Sequence, residues 1–148
     1  MLNRLRRLKS AAPWRRARAA QREARARQTQ VDELLQLARL SFVRLQLAWD
    51  TADLHALGEL ATRQLLDELR DQLAQRGPGP NHTEVLQLQA RLLSLDDLHE
   101  AMLASVEFTG LIREHQAHEA APFRELWMLA NVKAAGPGWK LARVQSLS

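Results

Sequence analysis

Three segments of the last third, ASVEFTGLIRE (104–114), APFRELWML (121–129) and GWKLARVQ (138–145), alternate apolar and polar side chains with a period near two and follow one another at hairpin spacing. Side chains of a strand point to opposite faces in turn, so each segment has one face to bury and one to solvate. Turn residues bound them, and together they predict an antiparallel sheet with one buried face. An upstream segment, 83–95, reads as the first strand, with Leu86, Leu88, Ala90 and Leu92 on one face and Gln87, Gln89 and Arg91 on the other. The second strand alternates Met102, Ala104, Val106 and Phe108, and Gly110 is placed for a bulge or bend. The third carries Phe123, Trp127 and Leu129; the Gly136-Pro137-Gly138 turn introduces the fourth, with Trp139 and Leu141.

Helical periodicity occupies the half before these strands. Val31, Leu34, Leu35, Ala38, Phe42, Leu45 and Trp49 trace one helical face, which Leu37, Leu40, Val43 and Leu47 widen until only a polar strip through Asp32, Gln36, Arg39, Gln46 and Asp50 remains. So wide an apolar surface needs cover on more than one side. A break over residues 50–53 leads to a short helix over 54–60 and a longer one on which Leu65, Leu66, Leu69 and Leu73 share a face. Asp53 and Thr62 are suited to N-caps, and Gly77-Pro78 to a C-terminal stop. Helices followed by a run of strands is the order of an α+β domain and argues against a parallel nucleotide-binding sheet.

Charge divides the chain. Residues 1–30 hold ten Lys or Arg against one acid, a net of +9, whereas residues 31–148 hold eleven against sixteen, a net of −5. Leu2, Leu5 and Leu8 recur among Arg4, Arg6, Arg7 and Lys9 as a short basic amphipathic helix that Pro13 interrupts. From Trp14 to Gln28 the residues are good helix formers with few large apolar side chains, so this arm is expected to be helical only against a partner. The reading is therefore a basic arm, 1–30, and a folded body, 31–148. With 148 residues the chain is one domain plus a tail.

Cysteine is absent, which excludes disulfide, thiolate-metal and thiol-nucleophile chemistry. No apolar run reaches the roughly 18 to 20 residues of a membrane-spanning helix, since Arg39 and Arg44 interrupt the best candidate. The basic start lacks the uninterrupted hydrophobic stretch of a secretory signal, although its Arg-rich, acid-poor composition also suits an organellar targeting peptide.

Read in order, FVRLQLAWDTADL, NHTEVLQLQARLL, ASVEFTGLIRE, FRELWML and GWKLARVQ resemble the Tim44-like domain shared by bacterial Tim44-like proteins and the peripheral matrix subunit of the mitochondrial inner-membrane import translocase, over about residues 31–147. The resemblance implies N-terminal helices packed on a curved, mainly four-stranded antiparallel sheet, the cone of nuclear-transport-factor-two-like and cystatin-like folds. It further implies a non-catalytic, membrane-associated module that contacts anionic lipid and other proteins in protein transport or membrane-protein assembly. A mitochondrial large-subunit ribosomal protein is a further relative. The chain departs from the bacterial pattern in lacking a transmembrane segment and in having Arg143 where a small residue is common.

Arg4, Arg6, Arg7, Lys9, Trp14, Arg15, Arg16 and Arg18 are accordingly the expected membrane-binding residues, because cations are drawn to anionic headgroups and an indole sits well at their level. Leu40, Val43, Leu47, Phe108 and Trp127 are the expected lining of a groove for a lipid chain or protein segment. The expected partners are an anionic phospholipid surface and an unidentified protein, with nucleic acid attraction to the same arm less favoured because no interleaved aromatics accompany it. The expected setting is peripheral, on the cytoplasmic face of a bacterial inner membrane or, alternatively, on the matrix side of the mitochondrial one. No cofactor is expected. The enzymatic alternative places Asp50 or Asp53 as acid or base in a cone interior, against their simpler use as caps at a chain break. Glu114, His115, His118 and Glu119 are the one cluster with metal-ligand chemistry, set in an Ala-rich hairpin loop that does little to converge them.

Overall fold

The computed structural model describes residues 13–77, 81–114, 119–136 and 138–147. Three helices, α1 (Pro13–Asp50), α2 (Leu54–Leu60) and α3 (Arg63–Arg76), precede four strands, β1 (Thr83–Asp97), β2 (Ala101–Glu114), β3 (Ala121–Val132) and β4 (Lys140–Ser146). The strands form one open sheet in sequence order, each antiparallel to the next. This is the α+β arrangement predicted, with helices packed on a four-stranded sheet. The chain divides into two compact units between Leu34 and Leu35.

Within residues 1–34, the described backbone is helical from Pro13 onward without a partner chain. The sequence predicts helix here only against a partner. The difference is one of cooperativity: nucleation is the costly step, and a segment of Ala, Arg, Gln and Glu continuous with an established helix only has to propagate it. Pro13 starts the helix, where its missing N–H costs nothing.

In residues 35–148, Ala38, Phe42, Leu45 and Ala48 are the buried face of α1. The Phe42 ring lies 4.9 Å from Phe108 and 5.3 Å from both Phe123 and Trp127, centroid to centroid, while Phe108 and Trp127 meet edge-on at 4.9 Å. One helical phenylalanine thus seats on the aromatic side chains of two adjacent strands, in the offset and edge-on geometries that aromatic quadrupoles favour. Leu57, Leu65, Leu69, Val106, Leu129 and Leu141 complete this core.

The chain turns out of α1 through a left-handed cap. Ala52 has φ 53°, and the N–H groups of Asp53 and Ala52 donate to the carbonyls of Ala48 (2.8 Å) and Trp49 (3.2 Å). That is the paired bonding of a Schellman motif, with alanine where glycine is usual. Asp53 then caps α2 by accepting from the Ala56 N–H at 3.1 Å, and Thr62 caps α3 by accepting from Leu65 at 3.3 Å. Gly77, at φ 80°, ends α3 as predicted. The α2–α3 corner is tied to β4 by the Thr62 N–H, which donates to the Leu141 carbonyl at 2.9 Å.

Ala104, Val106 and Phe108 face the core as predicted, with Trp127 and Leu129 beside them. On β1 the alternation fails twice. Register shifts between Val85 and Gln87 and between Leu92 and Ser94 leave Leu86 and Leu93 as the extra residues of two bulges, both exposed. Leu86 therefore does not share the inner face with Leu88, Ala90 and Leu92. A bulge resets the period-two count, and a long edge strand broken this way is a poor template for unwanted pairing. Gly110 stands opposite Leu88, beside the first bulge, where an added Cβ would lie 1.9 Å from the Gln87 carbonyl oxygen. No side chain larger than hydrogen fits there.

Candidate functional site

The described part of the basic arm is one-sided. At 3.6 residues per turn, Trp14, Arg15, Arg18, Arg22 and Arg25 fall within an arc of about 100°, while Arg16, Glu23 and Arg27 lie on the other side. The Trp14 indole is 53% exposed, with the Arg15 and Arg18 guanidinium carbons 5.2 and 5.0 Å from its centroid. Cation–π contact of this kind groups the charges around the ring without neutralising them. Arg4, Arg6, Arg7 and Lys9, the remaining cations expected at a membrane, lie outside the described residues.

The expected groove residues separate. Leu40, Val43 and Leu47 are exposed, Leu47 by 64%, and lie on the side of α1 roughly opposite Ala38, Phe42 and Leu45. Phe108 and Trp127 are fully buried beneath that opposite side. The five do not line one surface, because the sheet takes one apolar face of α1 and leaves the other uncovered. What remains is an apolar ridge along α1, whose end at Leu47 borders a recess of about 590 Å³ between α1 and α2. Leu47, Ala48, Ala56 and Leu60 supply its apolar wall, and Asp53 and Glu59 its acids. Arg44 and Thr51 complete the lining, so the recess is amphipathic, with an aliphatic wall for an apolar group beside a polar rim.

The acids proposed for catalysis are structural acceptors. Asp50 takes the Thr83 N–H at 2.7 Å, the Asn81 amide at 3.2 Å and the Thr83 hydroxyl at 3.3 Å, fastening the end of α1 to the start of β1. Asp53 caps α2 and is exposed. Trp49 is half-buried, with Arg76 above its ring at 5.4 Å and donating to its carbonyl at 2.7 Å. For the metal cluster, His115 and His118 lie outside the described residues; among the described residues no three His, Asp or Glu side chains gather.

A cluster that the sequence did not single out lies on the outward face of the sheet. Glu107 is only 8% exposed; its Oε1 accepts from Arg91 Nη2 at 3.1 Å and its Oε2 from Arg124 Nε at 3.0 Å and Nη2 at 2.7 Å. The hydrogen bond from Arg124, aided by both positive charges, holds the Glu107 carboxyl below its usual range despite burial. Alternation places Arg91 on the polar face of its strand, but its partner across the ladder depends on register.

A model of the Tim44-like domain matches residues 17–146. The chain belongs to the Tim44-like domain family. The match begins inside the basic arm rather than near residue 31. A search of curated proteins returns no match. Among solved structures, the intermembrane space region of the chloroplast protein ARC6 is similar in fold, with a TM-score of 0.53 at 14% identity over 77% of this chain and 96% of that one. Tim44-like domains are generally non-enzymatic and are associated with membrane-linked protein transport. Among the described residues, no helix is long and apolar enough to cross a membrane.

Proposed function

We propose that this Tim44-like chain is a non-enzymatic module docked peripherally on an anionic membrane, the arginine face of its N-terminal helix lying on the headgroups and the α1 ridge and its recess receiving an apolar segment of a protein partner or a lipid chain. The observation that supports it best is the grouping of Trp14, Arg15, Arg18, Arg22 and Arg25 on one face. The remaining positions of residues 13–30 are alanines and polar residues with one proline, so this part of the helix has little apolar area to insert, and attraction to anionic lipid is the main driving term, about 1 kcal/mol per cation near the surface. The cytoplasmic face of a bacterial inner membrane is the preferred setting, with the matrix side of the mitochondrial membrane as the alternative.

Vesicle sedimentation tests this reading. Full-length protein is expected to bind phosphatidylglycerol or cardiolipin vesicles and to ignore phosphatidylcholine. The double substitution Arg18→Gln, Arg22→Gln is expected to weaken binding roughly tenfold to thirtyfold, at about 1 kcal/mol per charge. Equal binding by a chain lacking residues 1–30 at low salt would refute the tether.

A further inference from the structure

We propose that the outward face of the sheet carries a second, separate site, in which Arg91 and Arg124, held side by side over the buried Glu107, bind a phosphate group. The site belongs to residues 35–148 and does not depend on the basic helix.

The ladder brings the three residues together. Arg91 on β1 stands opposite Glu107 on β2, and Arg124 on β3 stands opposite Thr109, one same-face position along. All three point away from Val106, Phe108 and Trp127, which face the core. Glu107 has both carboxylate oxygens covered by guanidinium donors, whereas Arg91 and Arg124 are 69% and 53% exposed. The negative charge is hidden and the two positive charges are presented, for a local net of +1. A guanidinium has five N–H donors in a fixed plane, and the bonds to Glu107 use one of Arg91's and two of Arg124's. The unused donors match the two or three oxygens of a phosphate, with a planar, paired geometry that a point cation lacks.

The surroundings favour an anion. Arg143 follows on β4, paired with Met128, and forms no ion pair among the described residues. Neutral Gln89 and Thr109, hydrogen-bonded to each other at 3.3 Å, flank the triad. Two further acids share this face: Glu84, engaged by Arg113 at 3.2 Å, and exposed Asp96, which stands opposite Leu103, two same-face positions from Glu107. A body of net charge −5 thus concentrates cations on one patch of sheet. Glu107 also removes much of the ordering cost of binding, since both long side chains are already fixed.

The test reads the site directly in the full chain. The side-chain Nε–Hε NMR signals of Arg91 and Arg124 are followed while inorganic phosphate is added at constant ionic strength against chloride. Saturable shifts of both signals are expected with phosphate and not with chloride, weakened about tenfold in Arg124→Gln, or in Arg91→Gln should the first variant not fold. Glu107→Gln is the sharper comparison. It raises the net charge but releases the guanidinium pair, so weaker binding upholds the built site and tighter binding overturns it. Dihexanoyl phosphatidylglycerol below its micellar concentration, set against glycerol 3-phosphate, tells a lipid headgroup from a soluble phosphate ester; tighter response to either upholds a phosphate site and names its source. Absence of a saturable response to all three phosphate probes refutes it. The arginines of α1 are untouched by these variants, so failure here leaves the vesicle result standing, and the reverse.

Discussion

Two residues depart from their ordinary states in opposite senses, one strained and one stabilised. Ala52 sits at φ 53°, a conformation in which a Cβ crowds the backbone, yet it is exposed and its side chain is not part of the core. Ala52→Gly is expected to raise stability by about 1 kcal/mol, because the strain is relieved without loss of buried contact. Chemical denaturation measures this, and an unchanged midpoint would show the strain to be absorbed elsewhere. Glu107 is the electrostatic case. Its folded carboxyl titrates below its ordinary value of 4.5, so the unfolded chain takes up the proton first as pH falls. Its contribution to stability is therefore full above pH 4.5 and is lost as the pH falls through the lowered folded value. The thermal midpoint should drop on acidification through that window, and less steeply in Glu107→Gln than in the unsubstituted chain. Equal slopes would mean that the two arginines do not stabilise the carboxylate in solution.

At the scale of elements, α1 has two apolar faces with opposite fates, and mutational cost should follow them. Phe42→Ala removes the ring that joins Phe108, Phe123 and Trp127 and is expected to cost about 3–5 kcal/mol. Leu40→Gln with Leu47→Gln, on the uncovered face, is expected to change stability by no more than about 0.5 kcal/mol each while reducing partner capture. Comparable destabilisation by both sets would show the ridge to be packed. This division also marks how far the sequence was legible. Periodicity located all three helices and four strands, and the chemistry of Asp53, Thr62 and Gly77 located their ends, because those signals are local. Which apolar face of α1 meets the sheet is a tertiary choice, so periodicity alone groups Leu40, Val43 and Leu47 with Phe108 and Trp127, which lie on the other side. Alternation puts Leu86 on the inner face because a bulge leaves no trace in so short a pattern. Arg91, Glu107 and Arg124 each stood at a polar position of its strand, but only the register unites them into one cluster.

At the scale of the whole molecule, the +9 of residues 1–30 and the −5 of residues 31–148 set what kind of membrane association is available. In the proposed docking mode, residues 13–30 offer the Trp14 ring as their one large apolar group, among arginines, alanines and other polar residues, and would not bind by insertion with the strength of an amphipathic anchor. On that proposal their attraction would come from several cations acting across solvent, which salt screens over about 10 Å at 0.1 M and about 3 Å at 1 M. The net charge of −5 on residues 31–148 would add no attraction to the same lipids. Binding to phosphatidylglycerol vesicles should therefore fall steeply between low and molar salt, whereas Trp14→Ala should have a smaller effect at low salt than neutralising Arg18 and Arg22. Vesicle sedimentation across a salt series separates the two contributions. If binding survives 1 M salt and is abolished by Trp14→Ala, the association is hydrophobic, and the arginine face has some other partner.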